Sequence, residues 1–210
     1  AAALSLDPGL LAELLGRAEL RELLDPEVIA QTESELQRLA PDRRARDAEG
    51  VVDLLRVLGP LSLDEIAERY SGAGFDTPPS AATQPAGGPP SAATQPAGGA
   101  TSFEPMLTEL ARANRVLRVH IAGVERWAVV EDAARLRDAL GVPMPIGVPT
   151  AFLEPVADPV GDLISRYLRT HAPFTAAEAA DRLGLGVAVV TDTLRRLAAD
   201  RRAVEGEFRP

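Results

Sequence analysis

The side chains in this 210-residue sequence most able to do chemistry are its arginines: all 22 basic residues are arginine, and there is no lysine. A guanidinium keeps its charge at any ordinary pH and presents a rigid fork of donors matched to phosphate or carboxylate. The chemistry on offer is therefore anion recognition. Two groups stand out by spacing: Arg195, Arg196, Arg201 and Arg202 near the end, and Arg112, Arg115, Arg118 and Arg126 in the middle. These eight are the candidate contacts to a nucleic-acid backbone, which would fix position without reading base sequence. Trp127 could stack on an unpaired base, although its place beside Val129 on one face of a strand favours the core.

Catalytic patterns are not found. The sequence contains no GxxxxGK[ST] loop for nucleotide phosphates and no GxSxG elbow for a nucleophilic serine. His120 and His171 fall in different parts of the chain without a carboxylate at ligand spacing, so no metal site is expected. Adjacent acids such as Asp64 and Glu65 sit where a helix begins, and there negative charge complements the helix dipole. The expected site inventory is thus no catalytic, cofactor-binding or metal-binding residue, with the eight arginines as the only candidates.

Charge limits what those arginines can achieve. The net charge is −9, and backbone affinity for nucleic acid comes from displacing counterions with cations. The distribution is uneven: residues 1–50 carry six Arg against eleven acids, residues 101–130 four against three, and residues 186–210 five against four. Nucleic-acid contact should be local and modest. The absence of cysteine excludes disulfides and thiolate zinc sites and makes a cytoplasmic location the default. No apolar run approaches the roughly 18 residues that span a bilayer, so no membrane partner is expected. The opening Ala1-Ala2-Ala3-Leu4 has no basic region or cleavage pattern and reads as a cut from a longer protein. The abundance of Arg, Ala, Gly and Pro suggests a GC-rich genome.

The elements that must position the arginines are announced by a phrase that occurs twice. Pro60-Leu61-Ser62-Leu63-Asp64-Glu65-Ile66-Ala67-Glu68-Arg69 returns as Pro173-Phe174-Thr175-Ala176-Ala177-Glu178-Ala179-Ala180-Asp181-Arg182. Each copy places a hydroxyl three residues before a glutamate, the signature of a capping box. An amphipathic helix precedes each phrase, and a longer helix and a hairpin pattern follow. That order is a winged helix-turn-helix. The expected fold class is mainly α with small β-hairpins (α+β), as tandem winged helices after a short helical segment.

The expected division is a helical segment over 1–45, a first winged-helix module over 46–141, a proline-rich linker over 142–157 and a second module over 158–210 with a truncated wing. The capped phrases are offset by 113 residues, whereas Leu107 and Leu110 match Leu194 and Leu197 at an offset of 87. The first module therefore carries 26 extra residues, placed over 71–101. There PSAATQPAGG occurs twice, a low-complexity tract with almost nothing to bury. In residues 4–40, Asp7-Pro8 and Asp25-Pro26 predict capped helix starts. Asp42 to Asp47 is expected to be a solvated connector.

The strings ELQRLAPDRRARDAEGVVDLLRVLGPLSLDEIAER (35–69), RVLRVHIAGVERWAVVEDAARLRDALG (115–141), PFTAAEAADRLGLG (173–186) and VEGEFRP (204–210), in that order, resemble the large helicase-related (Lhr) family. The likeness covers most of the chain outside the 71–101 insert. Members of this family are bacterial superfamily 2 ATP-dependent DNA helicases. They have two RecA-like motor domains, a winged helix and a barrel-like domain, and long members add further winged helices. The resemblance implies a parent protein engaged in DNA repair, translocating 3′ to 5′. Its motor domains would use ATP and Mg, and its partners would be single-stranded or forked DNA and the rest of the helicase chain. No motor motif maps onto these residues, so no catalytic role is carried over. The segment would be the junction between helicase core and C-terminal region, in a cytoplasmic, nucleoid-associated protein. The C-terminal region of the family also resembles winged-helix DNA glycosylases.

Three readings compete. The first is a DNA-engaging or domain-positioning module of a helicase, and the second an architectural module that self-associates or docks the motor without touching DNA. The third, a transcription regulator, fits tandem winged helices but not the weak basic character.

Overall fold

The computed structural model describes residues 25–72 and 103–206. The helix start expected at Asp7-Pro8, the repeated PSAATQPAGG tract and the last residues of the expected wing lie outside the described residues.

Local chemistry explains most element boundaries. Helix α1 (Pro26–Leu36) opens on Asp25, whose carboxylate accepts the Glu27 amide at 2.8 Å, with Pro26 at the first helical position where no amide is needed. Helix α2 (Ala48–Leu58) is capped by Asp47 and buries Val51, Val52, Leu54, Leu55 and Leu58 on one wide face. It stops at Gly59, whose φ of +88° favours glycine. Helix α3 (Leu63–Glu68) carries the complete capping box of Ser62 and Glu65. Helix α4 (Glu104–Arg112) turns Leu107 and Leu110 inward. Strands β1 (Val116–Ile121) and β2 (Val124–Val129) then pair antiparallel, with Arg118 opposite Trp127 and Val119 opposite Arg126. Leu61 adds a one-residue third strand, exchanging backbone hydrogen bonds of 2.9 and 2.7 Å with Trp127. Helix, short strand, capped helix, third helix and hairpin make a winged helix.

A second set of helices repeats the order. After α5 (Ala133–Leu140) and a single 3-10 turn at Thr150–Phe152 come α6 (Pro159–Thr170), α7 (Ala176–Leu183) and α8 (Val187–Ala199). Helix α7 has the second capping box, of Thr175 and Glu178. The third helices of the two sets even end alike. Asn114 and Arg201 both adopt left-handed backbone, at φ +53° and +57°. The next amide, of Arg115 or Arg202, reaches back to Leu110 or Leu197 at 2.8 Å in each. Beyond that point the described chain, 203–206, forms no strand.

The two sets share the hairpin. Alternate residues of a strand point to opposite faces, and here each face serves a different core. Val116, Trp127 and Val129 join Leu55, Ile66 and Leu107 in the first. Leu117, Val119, Ile121 and Ala128 join Leu136, Ile164, Ala180, Leu183, Val190 and Leu197 in the second. The proline-rich stretch after Gly141 contributes Val142 to that second core and rests Met144, Val148 and Phe152 against it.

The connector is exposed at Asp42, Arg43, Arg46 and Asp47, as expected, but it is anchored at one point. Pro41–Arg43 forms a 3-10 turn, and the buried Ala45 makes a parallel bridge with Tyr70. The part of the 1–45 segment described here also touches both helix sets. The Gln37 carboxamide donates to the Thr170 carbonyl at 2.5 Å, while its own backbone and side-chain oxygens accept from Arg69 at 2.8 and 3.0 Å.

Candidate nucleic-acid interface

The eight arginines meet different fates, decided by the carboxylates around them. Arg195 lies on the exposed face of α8 and pairs with Asp192 one turn earlier at 3.1 Å. Arg196 turns away and forms a two-pronged bridge, at 2.6 and 3.1 Å, to Asp158, the N-cap of α6. That hydrogen-bonded guanidinium holds the Asp158 carboxyl below its ordinary range. Arg202 donates to the Ser165 hydroxyl at 3.1 Å. Arg201 is exposed at the end of α8. Of the C-terminal four, Arg201 and Arg202 are the pair not tied to a carboxylate by any described ion pair.

The middle group is neutralised more fully. Arg112 pairs with Glu109, and Arg115 clasps both Glu49 oxygens at 2.9 and 2.8 Å. Arg118 stands 3.8 Å from Glu125 on the exposed end of the hairpin. Each such pair leaves less net charge for phosphate.

Arg126 requires a correction. Expected at the DNA face, it is 7% accessible, and its Nη1 donates to the Arg182 backbone carbonyl at 3.0 Å. It shares the hairpin face with Val119 and Ala128, the face that α6 and α7 cover, so no phosphate can reach it. Burial, followed by the neighbouring charge of Arg182, lowers its pKa. Trp127 is likewise core, at 6% accessible, and is not free to stack on a base.

Sequence reasoning missed the arginines that do converge, at the seam between the two helix sets. Arg182, on α7, reaches across to the first capping box: it bridges Glu65 through both nitrogens and donates to the Pro60 carbonyl at 2.9 Å. Burial alone would raise the Glu65 carboxyl, but hydrogen bonds from Arg182 and the Ser62 amide, with the charges of Arg182 and Arg126, bring it below its ordinary value. Arg166, on α6, bridges Asp132 at the end of the hairpin. Asp132 is 1% accessible and also takes Arg135, which extends to Asp162 at 3.0 Å. A signal was present in the repeat itself: its last residue is an arginine in both copies, Arg69 and Arg182, and both turn inward.

His171 follows the last turn of α6, its Nδ1 donating to the Tyr167 carbonyl at 2.9 Å. Its ring stacks on Tyr167 at 3.6 Å, and burial holds its pKa below the ordinary value. Beside it, an open groove of about 490 Å³ lies between the turn joining α6 to α7, α8 and residues 203–206, lined by Phe174, Leu194, Ala198 and Val204. Among the described residues no group of three His, Asp or Glu stands close enough to hold a metal ion, and no helix is long and apolar enough to cross a membrane.

The fold and its order of elements agree with a family model. Residues 22–155 match the model described as large helicase-related protein, winged-helix domain. The chain belongs to the Lhr family. It is 50% identical over 208 residues to "Lhr helicase/ probable uracil glycosylase" of Mycolicibacterium smegmatis, which covers 99% of this chain and 12% of that protein. It is 42% identical over 197 residues to "Lhr helicase/uracil glycosylase" of Escherichia coli K12, over 94% of this chain and 11% of that protein. The chain thus spans about an eighth or less of the Lhr proteins it matches. The matched winged-helix region contains the first capping box and the whole hairpin, and it ends before the Lhr helices that supply Arg166 and Arg182.

Proposed function

We propose that this segment is a non-catalytic positioning element of an Lhr-type DNA helicase, which holds two winged helices at a fixed angle inside the longer protein. The observation that carries this reading is the seam. Glu65 caps a helix of the first winged helix and simultaneously binds Arg182 of the second, over a hairpin that supplies residues to both cores. Such an arrangement spends its arginines on internal geometry more than on an external ligand. DNA engagement is the lesser part of the reading, limited to Arg201, Arg202 and the partly compensated Arg112, Arg118 and Arg195.

The likeness to proteins named as helicases supports an ATP-dependent parent acting in DNA repair, with ATP and Mg in motor domains outside this chain and single-stranded or forked DNA as the partner. A repair-glycosylase activity is supported by those proteins' names, and no described residue of this chain is assigned to it.

The test is made in the parent protein. Unlocking the seam with Glu65→Leu and Arg182→Met together should lower strand unwinding while DNA-stimulated ATP hydrolysis persists. Replacing Arg201 and Arg202 with Gln should weaken DNA affinity and change unwinding much less. If the unlocked seam left unwinding intact and the arginine variant abolished it, the segment would be a DNA-binding module first.

A further inference from the structure

The seam contains a small cavity of about 20 Å³, lined by three guanidinium-bearing residues, Arg126, Arg166 and Arg182, with Pro60, Ile121 and His171 among its walls. No carboxylate is among its lining residues. The two nearby acids are already engaged. Asp132 gives both oxygens to Arg166, and Glu65 gives both to Arg182 while accepting the Ser62 amide at 2.8 Å. Arg126 is left with a single carbonyl acceptor, and its buried Nε has no hydrogen-bond partner. Burial disfavours a positive charge on the His171 imidazole.

A buried cation without a counter-charge is strongly unfavourable, and a buried donor without an acceptor calls for a bound water or ion. A space of at least about 10–15 Å³ holds one small species. Arg166 and Arg182 each contact a carboxylate, whereas Arg126 contacts only a carbonyl, and a water molecule would bring it no counter-charge.

We propose that this cavity binds one small monovalent inorganic anion of halide size, with Arg126 as the principal donor and Arg166 and Arg182 flanking it. A volume of about 20 Å³ suits a single small ion better than sulfate or phosphate. Its lining arginines lie on β2, α6 and α7, so an anion bound here joins the hairpin to the second helix set. Binding to the folded state alone stabilises it by mass action. The site stands whatever the parent protein does, since it depends only on groups within this chain.

The experiment has a crystallographic and a solution arm. Crystals of the chain grown with bromide in place of chloride should show an anomalous peak in the cavity between Arg126, Arg166 and Arg182. In solution, melting temperature is compared in sodium chloride and sodium gluconate at equal ionic strength. The wild-type chain should gain about 3–5 °C for each tenfold rise in chloride above the dissociation constant. Arg126→Met, which keeps much of the apolar stem and removes the charge, should lose that increment. Arg195→Gln, on the surface, should keep it. An uncharged water in the cavity of the bromide crystals would overturn the proposal. So would an equal chloride increment in Arg126→Met, or a bromide peak with no solution effect, which would mark an adventitious ion only. The bromide arm uses the unmodified chain and decides the matter even if Arg126→Met does not fold.

Discussion

Glu65 and Arg182, 117 residues apart, are joined through an oxygen that has two tasks: Oε2 accepts the Ser62 amide at 2.8 Å and the Arg182 guanidinium at 3.1 Å. A helix cap and an inter-helix-set bridge are therefore one structure. Both side chains are less than a third exposed, so the pair is screened less than a surface bridge.

The first prediction separates those tasks. Glu65→Gln retains an acceptor for the Ser62 amide and loses the charge; it should cost about 1–2 kcal/mol by urea denaturation. In a double-mutant cycle with Arg182→Met the coupling should be about 1 kcal/mol. A coupling indistinguishable from zero would mean that the bridge contributes no stability.

Acid should act on the same seam in two stages. His171 has a folded pKa below its ordinary value of about 6.5, so the unfolded chain takes up the proton first. Its contribution is complete above that value and is lost as pH falls below it. Glu65 is also depressed; its contribution is complete above the ordinary glutamate value of about 4.3 and is lost on further acidification. Stability measured from pH 8 down to 3 should show both declines, with His171→Gln removing the upper and Glu65→Gln the lower.

Cooperativity gives the third prediction. Val119, 2% accessible, belongs to the hairpin but packs in the second core. Val119→Ala should cost about 1–3 kcal/mol and should accelerate amide exchange in α6 and α7 as well as in β1. Loosening confined to the hairpin would show that the helix sets open independently.

Asp132 supplies a fourth. It is a buried acid shared by Arg166 and Arg135, and breaking such a pair from one side costs about 3–5 kcal/mol. Asp132→Asn should fall near the lower figure, since the amide oxygen still accepts one hydrogen bond. Asp132→Ala should fall near the upper, measured by the same denaturation.

For nucleic acid, the expected binding is weak and strongly salt-dependent. Arg201→Gln and Arg202→Gln should each flatten the slope of log affinity against log salt by up to about one unit, read by fluorescence anisotropy on forked DNA. Arg115→Gln should change it little, because Glu49 already balances that charge.

Features carried by neighbouring residues were legible in the sequence. The capping boxes, the stop at Gly59-Pro60 and the core position of Trp127 all follow from spacing over a few residues. The seam was not, because a Glu and an Arg in separate copies of a phrase give no local sign that they meet. Arg126 is the instructive failure. Strand alternation places Arg126 on the face opposite Trp127 and Val129, a face that a lone winged helix leaves to solvent. The contrary sign was the run Leu117, Val119, Ile121, whose apolar face needed a second cover that the first winged helix does not provide.

The hairpin that serves two cores has a practical consequence for cutting the gene. Ending a recombinant protein at Gly141 would respect the apparent end of the first winged helix yet strip the cover from Leu117, Val119, Ile121 and Ala128. A two-stranded sheet with a bared apolar face invites other molecules to adhere. Such a truncation should be poorly soluble, and one that runs through α8 should not.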